Sequence, residues 1–474
     1  MSAAVTGTRS PAADIVTPLV ARARAAQAIA DGYDQARVDE LVAAAAWAIL
    51  EPARNRTLSE MAVRDTGIGD VEDKVLKNHR KTLGLLRDLH GRRTVGVISE
   101  DESTGIVEIG RPVGVVCAIT PSTNPAATPA NKIINSLKAR NAVIVAPSPK
   151  GVSTCAKLIE YMHAQFDRIG APRDLVQMLP PPVTKESTAE LMRQCDLVVA
   201  TGSQANVRAA YASGTPAFGV GAGNVASIVD ETADLDDAAA KIVQSKTFDN
   251  ATSCSSENSV VLVESIADAM LAALGRRGCV AVQGEDRARL EACMWPEGKL
   301  ASAVIGQSAG AIAERAGLSD PAARQARVLL VMETGTGPAH RFSGEKLSPV
   351  LTVYRVRDYA EAKELVRRIY AYQGAGHSVS LHSRIDERAL DLGLTLPVAR
   401  VIVNQVHVVA NGGSFSNGLP VSLSMGCGTW GRNNFSENMN VRHYMNITRI
   451  ARPIPEHVPT VEDLLGGYFA RWGR

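Results

Sequence analysis

The sequence predicts an α/β fold made of two parallel-sheet layers in tandem. Three observations carry this. Short runs such as "NAVIVAP" and "SVVLV" are apolar throughout, which fits strands buried on both faces. These runs alternate with helical stretches, the pattern of strand–helix–strand units. The alternation occurs twice, on either side of a glycine-rich stretch near residues 219–227. At 474 residues the chain is too long for one core and suits two or three domains.

The elements follow in order. The first ninety residues read as helices: "ADIVTPLVARARAAQAIADGYDQARVDELVAAAAWAIL" is rich in Ala, Leu and Arg at helical spacing, and "VEDKVLKNHRKTLGLLRDL" repeats the pattern. These helices read as structural. "TGIVEIGRPVGVVCAITPSTNP" is strand-like and broken by Gly and Pro. The strand "NAVIVAPSP", the helix "VSTCAKLIEYMHAQFDRIG", a strand near "LVQMLP", a helix near "KESTAELMRQC" and the strand "DLVVATGS" complete the first layer. "ASIVDETADLDDAAAKIVQSKTFDN" supplies a strand and a helix. The second layer continues through "SVVLVES", "RVLLVME", "SPVLTVYRV", the helix "DYAEAKELVRRIYAY", "HSVSLHS" and "RVIVN". "MNITRIARPI" is one more strand.

Composition excludes several classes. Hydrophobic residues make up 45% and charged residues 21%, as in a water-soluble globular protein. A formal net charge of +2 gives no footprint for nucleic acid or an anionic membrane. The nine histidines are scattered without metal-ligand spacing, so no metal site is expected. The seven cysteines are odd in number with no CxxC pair, which reads as reduced thiols in a cytoplasmic protein. No apolar run reaches 18 residues and the N-terminus lacks an apolar core, so neither a membrane span nor a secretion signal is expected.

Cys254, in "DNATSCSSENSVVLV", sits among small polar residues where a turn meets a strand. That placement suits a thiolate nucleophile needing access, and equally a structural thiol. "TPSTNP" puts Asn124 at the C-terminal tip of a strand, where α/β sheets bind ligands. Its amide can donate to an oxyanion or simply form an Asn-Pro turn. "ATGSQANV" places Thr201, Gly202 and Ser203 ahead of a helix, a capping site that also favours phosphate. "GVGAGN" is not a dinucleotide fingerprint, since Asn224 stands where the last Gly belongs and a strand follows. Glu345 precedes an apolar strand and can accept from ribose hydroxyls. His377 starts a strand after a Gly-rich turn.

Taken together and in order, "VEDKVLKNH", "GVGAGN…DETAD", "SKTFDN…CSSENSV", "EKLSP", "GHS" and "GCGTWGRNNFSEN" resemble the aldehyde dehydrogenase superfamily, and within it the coenzyme A-acylating branch. The resemblance runs from about residue 15 to about 455. It implies the aldehyde dehydrogenase fold: two Rossmann-like parallel α/β domains plus a small β oligomerisation arm. The implied domains are residues 1–221 for cofactor binding, with 100–113 in the arm, 222–435 for catalysis, and 436–474 for the arm's return strand and the tail. The implied roles are Cys254 as nucleophile and Asn124 as oxyanion donor with the Cys254 N–H. Thr120, Pro121, Ser148, Lys150, Thr201, Gly202, Ser203, Gly221 and Glu345 fall to the cofactor, with Glu345 on the nicotinamide ribose. His377 is either an acid/base that assists coenzyme A deprotonation or a structural histidine. Hydrolytic relatives carry a Glu base that activates water; here the corresponding segment is "GVGAGN", with Gly219 at the Glu position. Without that carboxylate a thiol such as coenzyme A takes the acyl group.

In NAD-preferring relatives a Glu follows the turn after the second strand. Here Pro149 stands there with Lys150 beside it, which favours NADP over NAD. The substrate loop "NQVHVVANGGSFSNGLPVSLSMGCG" is polar, with His407, Asn411 and Ser414 offering hydrogen bonds. Its "NGLPVSLSMGCGTWG" resembles acylating sulfoacetaldehyde dehydrogenases, so a small polar or anionic aldehyde is expected, sulfoacetaldehyde foremost. Acetaldehyde or propionaldehyde is the alternative, and a thiol-dependent acyltransferase without redox chemistry is the rival of another class. The tail "PTVEDLLGGYFARWGR" reads as an amphipathic helix that docks on the protein's own oligomer or targets a protein shell. A homodimer or homotetramer is implied by resemblance alone.

Overall fold

The computed structural model describes residues 10–474. Four helices come first: α1 (Pro11–Asp31), α2 (Gln35–Leu50), α3 (Pro52–Thr66) and α4 (Val71–Leu89). Each starts on a side-chain cap. Ser10 accepts from Ala13 N with Pro11 in the first turn of α1, and Asp70 accepts from Asp73 N at α4. Val16, Val20, Ala23, Ala26 and Ala30 recur at helical spacing and form the buried stripe of α1.

The first sheet is parallel throughout. Its strands are β3 (Val115–Thr120), β4 (Ala142–Pro147), β5 (Val176–Met178), β6 (Leu197–Thr201) and β7 (Ala217–Val220), in the order β5-β4-β3-β6-β7. The helices α5 (Ala127–Lys138), α6 (Val152–Ile169), α7 (Lys185–Gln194) and α8 (Gln204–Tyr211) connect them. β3 and β4 are buried at every position, which is why they read as continuous apolar runs. Strand β7 has no counterpart in the sequence expectations; it is short, holds Gly219, and takes in the start of "GVGAGN".

The second sheet has seven parallel strands: β8 (Val225–Val229), β9 (Glu257–Val263), β10 (Cys279–Ala281), β11 (Val328–Met332), β12 (Val350–Val356), β13 (Val379–His382) and β14 (Val401–Val403). Their order is β10-β11-β12-β9-β8-β13-β14. Helix α9 (Leu235–Thr247) leads from β8 towards β9. The chain crosses between the sheets over Gly221, Ala222, Gly223 and Asn224. It returns late: Phe435, Met439, Val441 and Tyr444 join the core of the first sheet.

The third sheet is an antiparallel arm of β1 (Gly96–Asp101), β2 (Ile106–Pro112) and β15 (Met445–Ala451), in the order β1-β2-β15. Beyond it a helix spans Val461–Trp472, closed by a capping box between Thr460 and Asp463 despite Gly466 and Gly467. None of its residues is buried. No helix among the described residues is long and apolar enough to cross a membrane.

Two parallel sheets facing each other create the site. Strands β3, β4 and β6 end at Thr120, Pro147 and Thr201, so the turns that follow leave the first sheet along one edge. Opposite them, β12, β9, β8 and β13 are neighbours, and the segments entering them carry Glu345, Cys254, Gly223 and His377. Four residues separated by up to 154 positions thus meet because their strands are adjacent.

Candidate active site

Cys254 lies on a tight turn just before β9. Ahead of it Asp249, Asn250 and Ala251 all take left-handed backbone angles, φ 50°, 50° and 58°. Three such residues in a row are strained and persist only where surrounding contacts hold them. Here Asp249 supplies them: its buried carboxylate accepts from Asp70 N at 2.8 Å, Lys74 Nζ at 3.0 Å and Thr252 Oγ1 at 2.7 Å, and pairs closely with Lys77.

Two residues hold the turn from behind. His407 Nδ1 lies 2.8 Å from Ser255 O, and Asn411 Nδ2 donates to Ser255 Oγ at 2.8 Å. Both are fully buried and neither reaches a cavity wall. The expectation that they contact substrate is therefore corrected: the loop turns into the short helix His407–Ala410, whose packing directs them inward onto the nucleophile's neighbour. Arg400, which sequence reasoning missed, ties the same region together. It donates to His377 O (3.0 Å), Gly426 O (2.8 Å) and Asn411 Oδ1 (3.0 Å) without a carboxylate partner.

His377 Nε2 lies 3.3 Å from Cys254 Sγ, and its Nδ1 lies 2.8 Å from Ser378 Oγ. Burial, reinforced by Arg400 and His407, pushes the imidazole well below its ordinary range and keeps it neutral. Cys254 is open to a cavity on one side, but protein atoms surround its sulfur, and desolvation pushes the thiol up to about 12. Glu345 and Cys427 add to this, while Arg400 opposes it. The resting pair is thus a thiol facing a neutral base. Gly223 lies between them: a Cβ there would run into the Cys254 carbonyl oxygen and stand 3.1 Å from His377 Nε2.

Glu345 accepts from Gly223 N at 3.1 Å, and burial raises its carboxyl to about 7. Gly219 requires a correction. It lies inside β7, and a Cβ there would run into the side chains of Val207 and Tyr211. The part of "GVGAGN" beside the thiol is Gly221, Ala222, Gly223 and Asn224, which carries no carboxylate either.

Cys254 opens into a cleft of about 660 Å³ between the sheets. Pro121, Ser148, Lys150, Thr201, Gly202, Ser203, Gly221 and Glu345 all line it; Thr120, buried as the last residue of β3, does not. The cleft suits a dinucleotide. Ser203 caps α8 through Asn206 N, leaving that helix N-terminus towards the cleft. Gly202, at φ +150°, leaves open space, with nothing nearer than 3.8 Å to a Cβ placed there.

A second cavity of about 530 Å³ meets the first at Asn124, Ser253 and Leu423. Its wall carries Lys77, Arg80 and Lys81 from α4, Lys241 from α9, and Ser414 and Ser416. Lys77 is paired with Asp249 and Lys241 with Asp237. Arg80 makes no ion pair among the described residues and lies 5.2 Å over the Phe415 ring. Lys81 donates to Gly412 O and Gly413 O, both at 2.9 Å, with no acid partner; burial lowers its ammonium to about 7. Sequence reasoning missed this cluster by reading α4 as structural. The signal present was "KNHRK", three cations within five residues of one helix.

No group of His, Cys, Asp and Glu able to hold a metal ion occurs among the described residues. A family model described as the aldehyde dehydrogenase family matches residues 4–289. The acylating sulfoacetaldehyde dehydrogenase of Cupriavidus necator is 67% identical over 98% of this chain and 94% of its own. The protein of the same name from Bilophila wadsworthia is 42% identical over 95% and 98%. The crystal structure of an acetylating aldehyde dehydrogenase from Geobacillus thermoglucosidasius is 35% identical and superposes with a TM-score of 0.90 over 95% of this chain and 98% of that one. A match to the family model over more than half of its length, and relatives that align along nearly all of it, show that the chain belongs to the aldehyde dehydrogenase family.

Proposed function

We propose that this protein oxidises a small anionic aldehyde, sulfoacetaldehyde, to its coenzyme A thioester, and runs in reverse when the thioester is supplied. The observation that carries the substrate reading is the second cavity: it opens beside Cys254 and Asn124 and holds two cations, Arg80 and Lys81, with no acid partner. A sulfonate has no proton to lose near neutral pH and three oxygens to accept charge-assisted hydrogen bonds. The names of the Cupriavidus necator and Bilophila wadsworthia relatives support the same substrate.

The protein's own groups then divide the work. The Cys254 thiol adds to the aldehyde carbon, its proton passing to His377 Nε2, 3.3 Å away. The new oxyanion accepts from Asn124 Nδ2 and from the Cys254 N–H, which donates to no protein group among the described residues. A nicotinamide dinucleotide in the larger cleft supplies the two-electron acceptor. What remains on Cys254 is a thioester. With no carboxylate on the segment from Gly221 to Asn224 to activate water, a thiol is the better nucleophile. His377 gives its first proton to solvent, takes the coenzyme A proton as the acyl group transfers, and returns it to the departing Cys254 sulfur. Lys150, with Pro149 in place of an acid, supports tolerance of a 2′-phosphate and hence NADP. The β arm supports assembly as a dimer or tetramer.

The test crosses sulfoacetaldehyde and propionaldehyde with NAD or NADP, with and without coenzyme A, followed at 340 nm. Turnover that needs coenzyme A and a higher kcat/KM for sulfoacetaldehyde are expected. Sustained turnover without coenzyme A removes the acylating assignment, and a higher kcat/KM for propionaldehyde removes the substrate.

A further inference from the structure

We infer that Lys77 is a positioning residue for the oxyanion site: it locks the Asn124 amide with its oxygen turned away from the thiol and its N–H₂ turned towards the reacting carbon. This rests on the reading of Asn124 as the oxyanion donor.

The argument begins with Asn124. Its Oδ1 accepts from Lys77 Nζ at 2.8 Å, while its Nδ2 has only a long contact to Thr123 Oγ1, 3.5 Å. An ammonium has donors and no acceptor, so only the carbonyl oxygen of the amide can face it. The other orientation would bring N–H₂ against N–H₃⁺. Lys77 therefore determines which end of Asn124 meets the cavity that the thiol shares. A cation on the carbonyl oxygen also polarises the amide and strengthens its N–H as a donor.

Lys77 is itself held. It pairs with the buried carboxylate of Asp249 and lies 3.4 Å from Thr252 Oγ1. Lys74, one turn earlier on α4, donates to both Asp249 Oδ2 and Thr123 O at 3.0 Å. Asp249 N donates to Asp73 Oδ2 at 2.7 Å. Gly69 makes room, since a Cβ there would overlap the Asp249 carboxylate. One buried cluster thus joins α4, the turn bearing Asn124, and the strained segment leading to Cys254. The donor and the nucleophile are registered to each other through Asp249 and Lys77.

The experiment is a double-mutant cycle on kcat with propionaldehyde, an uncharged substrate, so that charge lost from the second cavity does not enter. Asn124→Ala is expected to cost about 10²- to 10³-fold, the usual loss of an oxyanion donor. Lys77→Met should cost about 10- to 100-fold in kcat with KM unchanged, and at most about threefold more in the Asn124→Ala background. Lys77→Arg, which keeps charge and donors, should recover most of the rate. If Lys77→Met does not fold, Lys77→Gln, shorter but able to bond Asp249, carries the same cycle. Unchanged kcat in Asn124→Ala sinks the oxyanion reading and the proposal with it. A full loss in Asn124→Ala with additive losses in the cycle, or a Lys77→Met defect confined to KM, overturns the positioning role alone.

Discussion

The Nε2 atom of His377 lies 3.3 Å from Cys254 Sγ, while burial holds the imidazole neutral and the thiol protonated. The nucleophile therefore depends on proton transfer at the moment of attack rather than on a preformed thiolate. Replacing His377 by Ala is expected to lower kcat about 10²- to 10⁴-fold at pH 7. The remaining rate should climb with pH, because hydroxide then replaces the missing base. A variant whose pH profile parallels the wild type would show that His377 is structural.

Alkylation of the free enzyme reads the same state directly. A thiol pushed up to about 12 is almost wholly protonated at pH 7, and its thiolate fraction grows tenfold per pH unit below that value. The rate of Cys254 labelling by iodoacetamide, followed by peptide mass spectrometry, should therefore rise log-linearly from pH 7 to 9. A plateau below pH 8 would mean a thiolate–imidazolium pair instead.

Arg80 is the cation in the second cavity with a permanent charge and no acid partner. A hydrogen bond to a charged group is worth about 1.5–3 kcal/mol, or about 10- to 100-fold. Arg80→Ala should raise KM for sulfoacetaldehyde by that factor and leave propionaldehyde kinetics unchanged. Equal effects on both aldehydes would place Arg80 in general packing. Because burial lowers Lys81 to about 7, its share of anion binding is present below that pH and fades above it. KM for sulfoacetaldehyde should therefore rise between pH 6.5 and 8.5 in the Arg80→Ala background, where Lys81 is the remaining unpaired cation.

Lys150 lines the larger cleft beside Ser148. If it meets a 2′-phosphate, Lys150→Ala should raise KM for NADP about tenfold and leave KM for NAD unchanged, with the partial exposure of the site limiting the effect. Parallel rises for both cofactors would move Lys150 to a shared part of the dinucleotide.

The helices and buried strands were legible because their signals are local. Val16, Val20 and Ala23 repeat at helical spacing, and β3 and β4 are apolar at every position. Strand β7 was not legible: four residues with a glycine carry too little pattern, and the strand exists because β6 offers it an edge. The same shortage misplaced Gly219, whose neighbours in sequence did not reveal that its Cβ direction faces Tyr211. The loop from 404 to 428 looks in sequence like polar contact surface, but two of its polar side chains, His407 and Asn411, instead fold back to support Ser255.

By itself the sequence determined the α/β class, the alternation that makes two parallel sheets, and the likeness that marks Cys254, Asn124, His377 and Glu345, since composition, periodicity and motif order are properties of the chain. Only the tertiary structure decided what those residues do to one another. The order β12-β9-β8-β13 brings Glu345, Cys254, Gly223 and His377 side by side, and α4 carries Lys77, Arg80 and Lys81 from a helix some 170 residues away in sequence to the mouth of the site. Hydrogen bonds and charge act over a few ångströms of space whatever the separation along the chain. Asp249 holding Lys77, and Lys77 holding Asn124, could therefore be read only once strand order and helix packing had set those distances.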